Sequence, residues 1–219
     1  MTKRRSYDQH CGLARALDVL GERWTLLIVR DLLLGPRRYV DLLTSLEGIT
    51  TNLLAKRLRE MTEAGLVEKR RLPSPAGSDV YALTESGHAL EPAVMELSRW
   101  GGRLLMHPRK TDRRDIGWAL LSMKRRYRGG LDLIVELTSG ERSFELCLGE
   151  RLGLEEKRSD RAAVRAHAPA QDVFFDVFFR GMPSRSLEQK GRLSITGDRA
   201  LWDAVVGAFE PVAKAAPRR

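Results

Sequence analysis

The chain of 219 residues contains two cysteines, Cys11 and Cys147, and aromatic residues form only 6% of it. Two cysteines cannot build a disulfide framework or a cysteine-based zinc site. No stretch approaches the ~20 consecutive apolar residues that span a membrane. The basic first ten residues lack the apolar run of a signal peptide. We therefore expect a cytoplasmic protein without a membrane span.

Motifs for catalysis and metal binding are also missing from the sequence. The four histidines share no metal-ligand spacing, and no CxxC, GxGxxG, GxSxG or phosphate-loop motif occurs. Asp198 fits a helix cap better than a general base. We therefore expect no metal site, no cofactor and no enzymatic activity.

Positive charge exceeds negative charge, with 38 Lys+Arg against 29 Asp+Glu and a net charge of +9. The excess is concentrated in residues 107–128, which hold 8 Lys+Arg and only 2 Asp. Such a surplus favours a nucleic-acid partner, although many soluble proteins without one are also basic.

The first half of the chain has the element order of a winged helix-turn-helix. Apolar periodicity and turn residues predict helices over 11–20, 22–34 and 37–46, a helix from Thr50 or Thr51 to Gly65, strands over 66–72 and 79–83, and a last helix from Thr84 through Leu104. The loop between the strands is rich in proline, serine and glycine, as expected of a wing tip.

The fourth predicted helix has two distinct faces. Leu54, Leu58 and Met61 recur at helical spacing and are expected in the core. Small polar and cationic side chains occupy another face, which suits insertion into the major groove of DNA. An ordinary amphipathic surface helix is the alternative interpretation. The residues that we expect near base edges are Thr51, Asn52 and Lys56.

A basic strand follows this helix and favours the DNA-binding interpretation. The run Lys69-Arg70-Arg71 lies where a wing reaches phosphates or an adjacent groove. The residues expected mainly at phosphates are Arg38, Arg59, Arg70 and Arg71. Together with the helix they predict double-stranded DNA as the partner.

Residues 7–105 resemble the HxlR family of bacterial winged-helix regulators. The resemblance rests on Cys11, Gly21-Glu22-Arg23-Trp24, Arg38-Tyr39, the stretch from Ile49 to Leu58, Gly65-Leu66-Val67 and Trp100-Gly101. It implies a DNA-binding homodimer held by the first and last helices. The wing tip, PSPAGSD, departs from the more compact turn that is usual in the family.

The predicted helix at 85–105 places Leu90, Val94, Leu97 and Leu104 on one stripe, with Gly101 between the last two. We expect this stripe in a homodimer interface, because a two-fold operator requires a two-fold protein. Packing against the second half of the chain is the alternative.

Cys11 is a candidate redox sensor. It precedes a helix, adjoins His10 and lies one turn from Arg15, and all three features favour the thiolate. The family resemblance also implies a sensing cysteine at this place. The alternative is a small apolar residue packed at the dimer interface.

The two halves are joined by residues 106–115, which are polar and lack an apolar period. We interpret them as a solvated linker between domains at 1–105 and 116–219; contact with flanking phosphates is the alternative. After the linker we expect a helix near Ile116 and strands over 131–138 and 143–148. A third strand over 161–168, an apolar helix over 172–180, a strand with Leu193 and Ile195 and a closing helix after Asp198 complete the expected order.

Residues from about 113 to 219 resemble a sterol-carrier-protein domain. The resemblance rests on the Ser139-Gly140-Glu141 turn, the phenylalanine-rich helix ending at Gly181, and Gly197-Asp198 before the last helix. It implies a small α+β fold around an apolar cavity. The candidate cavity wall is Phe174, Phe175, Phe178, Phe179 and Trp202. A filled core made of the same rings is the alternative.

The sequence thus predicts an α+β protein, with an N-terminal winged helix-turn-helix domain and a sterol-carrier-like C-terminal domain. We expect a dimeric transcriptional regulator, a repressor at a palindromic operator, whose C-terminal domain senses an apolar small molecule. The alternative is a lipid carrier or a small-molecule enzyme, with the N-terminal domain serving as a scaffold.

Overall fold

The computed structural model describes residues 6–73, 77–106 and 112–210. The chain divides into two compact units, Met1–Leu104 and Leu105–Arg219. Half of the predicted linker and the centre of the predicted wing tip lie outside the described residues. Within the described residues, no helix is long and apolar enough to cross a membrane.

The N-terminal unit is a winged helix-turn-helix, as its sequence pattern predicts. Its elements are α1 (Gly12–Leu20), α2 (Thr25–Leu32), α3 (Tyr39–Ser45), α4 (Thr51–Glu63), β1 (Val67–Arg71), β2 (Asp79–Leu83), α5 (Glu85–His88) and α6 (Glu91–Gly102), followed by a 3-10 turn (Arg103–Met106). The strands β1 and β2 form an antiparallel hairpin, which is the wing.

Local chemistry fixes both ends of α4. The Thr50 hydroxyl accepts a hydrogen bond from the Leu53 amide at 3.3 Å, which caps the first turn. After the helix, Gly65 adopts a φ of +70°, and the Leu66 amide returns to the Met61 carbonyl at 2.9 Å. Leu54, Leu58 and Met61 are buried as predicted.

Two helix predictions in this unit were wrong. The second helix begins at Thr25 instead of Glu22, because Trp24 adopts a left-handed φ of +81° that a continuous helix excludes. The single helix predicted from Thr84 to Leu104 is divided into α5 and α6. Pro92 lies in the first turn of α6 and has no amide hydrogen to bond back to the preceding turn.

The C-terminal unit packs helices against a five-stranded sheet. Its elements are α7 (Ile116–Met123), β3 (Leu133–Ser139), β4 (Arg142–Leu148), β5 (Leu152–Glu155), β6 (Val164–Ala168), α8 (Asp172–Arg180), α9 (Ser184–Gln189), β7 (Ser194–Gly197) and α10 (Arg199–Gly207). The strand order is β5-β4-β3-β6-β7. Among the described strands of this sheet, β3 and β6 pair in parallel and the other neighbours pair antiparallel.

One face of this sheet forms the core of the unit. Val135, Leu137, Phe144, Leu146 and Val164 are completely buried. Asp115 caps α7 by accepting from the Gly117 amide, and Asp198 caps α10 by accepting from the Ala200 amide. The expectation that Asp198 is a helix cap is therefore confirmed.

The second face of β3 and β4, which carries the two carboxylates Glu136 and Glu145, is also covered. Glu136 and Glu145 are buried because the segment between β5 and β6 covers that face. In this segment the Ser159 amide donates to Glu136, and the Lys157 ammonium lies 3.0 Å from the Glu145 carboxylate. The sequence analysis missed β5 and α9, because both are too short to show a clear apolar period.

Candidate nucleic-acid interface

The exposed face of α4 carries the predicted base-contacting side chains. Thr51, Asn52, Lys56 and Arg59 are all exposed, on the side away from the buried leucines. The Lys56 ammonium lies 3.9 Å from Glu60 on the next turn. In the described parts of the chain, Arg59 has no ion pair.

Arg57 anchors α4 from its inner side, and the sequence analysis did not single it out. Its buried guanidinium donates to Glu22 at 2.6 Å and also pairs with Glu60. Arg57 therefore connects α4 with the loop before α2. The sequence did contain a signal for this role. Arg57 lies next to Leu58 on the apolar face of the helix, where a cation needs a buried partner.

The start of α3 joins the start of α4 to the wing. The Tyr39 hydroxyl donates to the Thr51 carbonyl at 2.6 Å. Two residues earlier, Arg37 exchanges backbone hydrogen bonds of 2.9 and 2.7 Å with Tyr81 of β2. These contacts place the start of α3, the start of α4 and the wing on one continuous surface, which we call the DNA-facing surface.

Arg38 belongs to this surface but is held by a neighbour. Its guanidinium donates two hydrogen bonds to Asp41, at 2.9 and 2.7 Å, and its amide donates a third at 3.2 Å. This arrangement caps α3. The same guanidinium lowers the pKa of the Asp41 carboxyl, chiefly through the side-chain hydrogen bond.

The wing presents its cations on two faces. Successive strand residues point to opposite faces, so Arg70 and Arg71 cannot share one. Lys69 lies 2.7 Å from Asp79, which holds the pKa of Asp79 below its ordinary value. Arg70 lies 3.9 Å from Glu68. Arg71 stands opposite Asp79 in the strand register.

A cavity of about 340 Å³ lies between the start of α3 and the part of the wing next to its tip. Its lining includes Arg38 and Asp41 on one side and Leu72 and Val80 on the other. The cavity is open to solvent, so the Arg38–Asp41 pair at its rim belongs to the DNA-facing surface and is not buried beneath it.

In the C-terminal unit the predicted cavity wall is mostly packed. Phe174, Phe178 and Trp202 are buried, and the Trp202 indole donates to the Ser184 hydroxyl at 2.9 Å. Phe175 and Phe179 are half-buried, with ring centroids 5.5 Å apart. A cavity of about 280 Å³ in this unit is lined by other residues, among them Val177, Met182, Arg199 and Val206. Ligand binding by the five rings stays a prediction.

The two cysteines occupy contrasting environments. Cys11 is exposed just before α1, and the neighbouring backbone amides of Ala14 and Leu13 lower the pKa of its thiol. Cys147 is half-buried on β4, where burial raises the pKa of its thiol, assisted by the charge of Glu145. Of the two, Cys11 is therefore the more readily ionised.

Comparison with known proteins assigns the N-terminal unit to a family. The HxlR-like helix-turn-helix family profile matches residues 19–109. The HTH-type transcriptional regulator YodB of Bacillus subtilis is 35% identical over 85 residues, which are 39% of this chain and 76% of YodB. The chain belongs to the HxlR-like helix-turn-helix family.

Other relatives of this HxlR-like protein are also HTH-type transcriptional regulators. An uncharacterised one from Mycobacterium tuberculosis is 41% identical over 97 residues, 44% of this chain and 61% of the relative. The chain thus spans about three fifths of that relative's length. The solved structure of reduced YodB has 31% identity and a TM-score of 0.39, and covers 47% of this chain and 100% of that chain.

Proposed function

We propose that this HxlR-like protein is a transcriptional regulator that binds duplex DNA through α4 and the wing. The observation that carries the proposal is the DNA-facing surface, in which Tyr39 fixes the start of α4 and leaves Thr51, Asn52 and Lys56 exposed. Asn52 suits a bidentate pair with adenine, and such a pair contributes ~1–3 kcal/mol of discrimination. Arg38, Arg59, Arg70 and Arg71 are assigned to phosphates.

The protein acts as a homodimer in this proposal. The support is a set of exposed apolar side chains on α1 and α6. Leu13, Leu97 and Trp100 are more than half exposed, and clusters of exposed large apolar side chains on amphipathic helices mark interaction surfaces. Of the predicted stripe, Leu97 and Leu104 are exposed, whereas Val94 is buried within its own unit. A dimer through α1 and α6 presents two copies of α4 to a palindromic operator.

Regulation is assigned to the C-terminal unit and to Cys11. We infer that the C-terminal unit, a sterol-carrier-like α+β domain, binds an apolar small molecule and thereby changes DNA affinity. The half-buried Phe175–Phe179 pair supports this inference, because it leaves apolar surface within reach of a ligand. We further propose that the protein is a repressor and that oxidation of Cys11 weakens its DNA binding.

Mass spectrometry of the natively purified protein tests the sensor proposal. A co-purifying apolar molecule, together with a Trp202 fluorescence change on titration with fatty acids or sterols, supports it. If nothing co-purifies and fluorescence does not change, the sensor role is wrong. A carrier or enzyme in which the N-terminal unit is only a scaffold would bind the ligand without any effect on DNA affinity.

A further inference from the structure

Four cations of α3, α4 and the two faces of the wing each form an ion pair with a neighbouring carboxylate. The four ion pairs are Arg38–Asp41, Lys56–Glu60, Lys69–Asp79 and Arg70–Glu68, with N–O distances of 2.7, 3.9, 2.7 and 3.9 Å. Of the cations that we assign to DNA, Arg59 and Arg71 lie in no ion pair within the described residues.

All four pairs are accessible to an incoming phosphate. Their side chains are between 33% and 55% exposed. Exposed ion pairs contribute little to stability individually, so a phosphate can replace the carboxylate at small cost. Until that exchange occurs, each carboxylate neutralises its cation and repels the DNA backbone.

The competition between carboxylate and phosphate for each cation has a different outcome in loosely docked and in fully seated complexes. Non-specific binding depends almost entirely on the cations available to phosphates. A paired cation contributes little to it, so Arg59 and Arg71 contribute more than the paired cations. In a seated complex, contacts between Asn52 and base edges hold the backbone close, and this proximity offsets the cost of exchange.

We propose that Asp41, Glu68 and Asp79 are specificity-determining residues. In the loosely docked complex they keep Arg38, Arg70 and Lys69 in ion pairs, away from phosphates. When α4 is seated in the major groove, the three cations exchange these carboxylates for phosphates. This inference rests on the proposed function, because it requires a DNA-binding surface, and it assigns to three carboxylates a role that opposes random binding.

Substitution of these carboxylates by their amides is the cleanest probe. Glu68→Gln and Asp79→Asn change exposed wing positions. Asp41→Asn retains an oxygen that can accept from the Arg38 amide. Glu60 is left unchanged because it also holds the buried Arg57. Glu63→Gln is the matched control, since it makes the same charge change at an exposed position at the end of α4.

The measurement compares two duplexes by fluorescence anisotropy. One has random sequence, and the other is selected from a random library by the wild-type protein. Each amide variant should bind the random duplex about two- to fivefold more tightly than wild type does. Its affinity for the selected duplex should rise less. On random DNA, each released cation should steepen the dependence of log affinity on log salt by about 0.9.

Each other outcome overturns the proposal. If Glu63→Gln strengthens random binding as much as Asp79→Asn, net charge alone is responsible. Variants that gain equally on both duplexes, or on neither, also contradict it. If the wild type enriches no sequence from the library, the proposed function fails and the inference with it. If the wild type prefers the selected duplex and the variants show the same preference, the inference is wrong but the proposed function stands.

Discussion

The Tyr39 hydroxyl donates a hydrogen bond of 2.6 Å to the carbonyl oxygen of Thr51. This contact joins the first residue of α3 to the first residue of α4, across the turn of the helix-turn-helix. It orients the segment of α4 that carries Asn52. The position of the candidate base-reading residue therefore depends on a side chain of another helix, as well as on the packing beneath α4.

The cap of α4 gives a stability prediction with a close control. Thr50→Ala removes the hydroxyl that accepts from the Leu53 amide and should lower the free energy of unfolding by ~1 kcal/mol. Thr51→Ala makes the same chemical change one residue later, where the side chain is exposed, and should cost less than ~0.5 kcal/mol. Urea denaturation of both variants measures the difference. Equal losses would contradict the assignment of Thr50 as the cap.

The proposed dimer depends on exposed apolar residues of α6. Replacing Trp100 by Glu places a charge on the surface that the dimer would bury, and should convert the protein to a monomer. Light scattering coupled to size-exclusion chromatography determines the mass. Val40→Glu, at an exposed apolar position on α3, is the control and should leave the mass unchanged. A Trp100→Glu protein that stays dimeric would show that another surface forms the dimer.

From the environment of Glu145 we predict that the protein loses stability as the pH falls. The neighbouring Ser159 side chain and the ammonium of Lys157, which lies 3.0 Å from the carboxylate, lower the pKa of Glu145. Because its pKa is lower in the folded than in the unfolded protein, Glu145 stabilises the fold above an unfolded pKa of about 4.3. This stabilisation is lost as the pH falls through the folded pKa.

Denaturation at a series of pH values isolates this contribution. The Glu145→Gln variant should be less stable than wild type at about pH 7, and the difference should shrink as the pH falls below about 4. Glu63→Gln provides the comparison at an exposed position. A Glu145→Gln deficit that stayed constant over the whole range would show that packing, not ionisation, accounts for the loss.

Cys11 and Cys147 should differ in reactivity. Cys11 is exposed and its pKa is lowered, whereas Cys147 is half-buried and its pKa is raised. Because the thiolate is the reacting form, iodoacetamide should label Cys11 first at neutral pH. Peptide mass spectrometry over time measures both rates.

Diamide should then weaken DNA binding by wild type but not by Cys11→Ser; equal responses would remove Cys11 from the regulatory proposal.

The sequence predicted those features that depend on local periodicity. The buried stripe of α4 and the cap at Asp198 follow from residues adjacent in the chain, and the structure chooses Thr50 over Thr51 as the cap of α4. Tertiary effects were not visible in the same way. The ion pair between Arg57 and Glu22 joins residues 35 positions apart, and the burial of Glu145 requires a segment that folds over the sheet from beyond β5.

The candidate site shows the same division. The exposure of Thr51, Asn52, Lys56 and Arg59 follows from helical spacing and was predicted correctly. The pairing of Arg38 with Asp41 was not foreseen, although the two residues are only three positions apart. A sequence pattern gives the charges on a surface, but which charges neutralise one another depends on side-chain conformations.

Sequence-specific DNA binding by the exposed face of α4 is the central claim, and one binding experiment tests it most directly. Anisotropy titrations with a duplex from upstream of the protein's own gene and with random DNA should be made at physiological salt. The wild type should prefer the former, and Asn52→Ala should lose ~1–3 kcal/mol of that preference. Arg71→Ala should weaken binding to both duplexes alike. Equal wild-type affinity for the two duplexes would contradict the account.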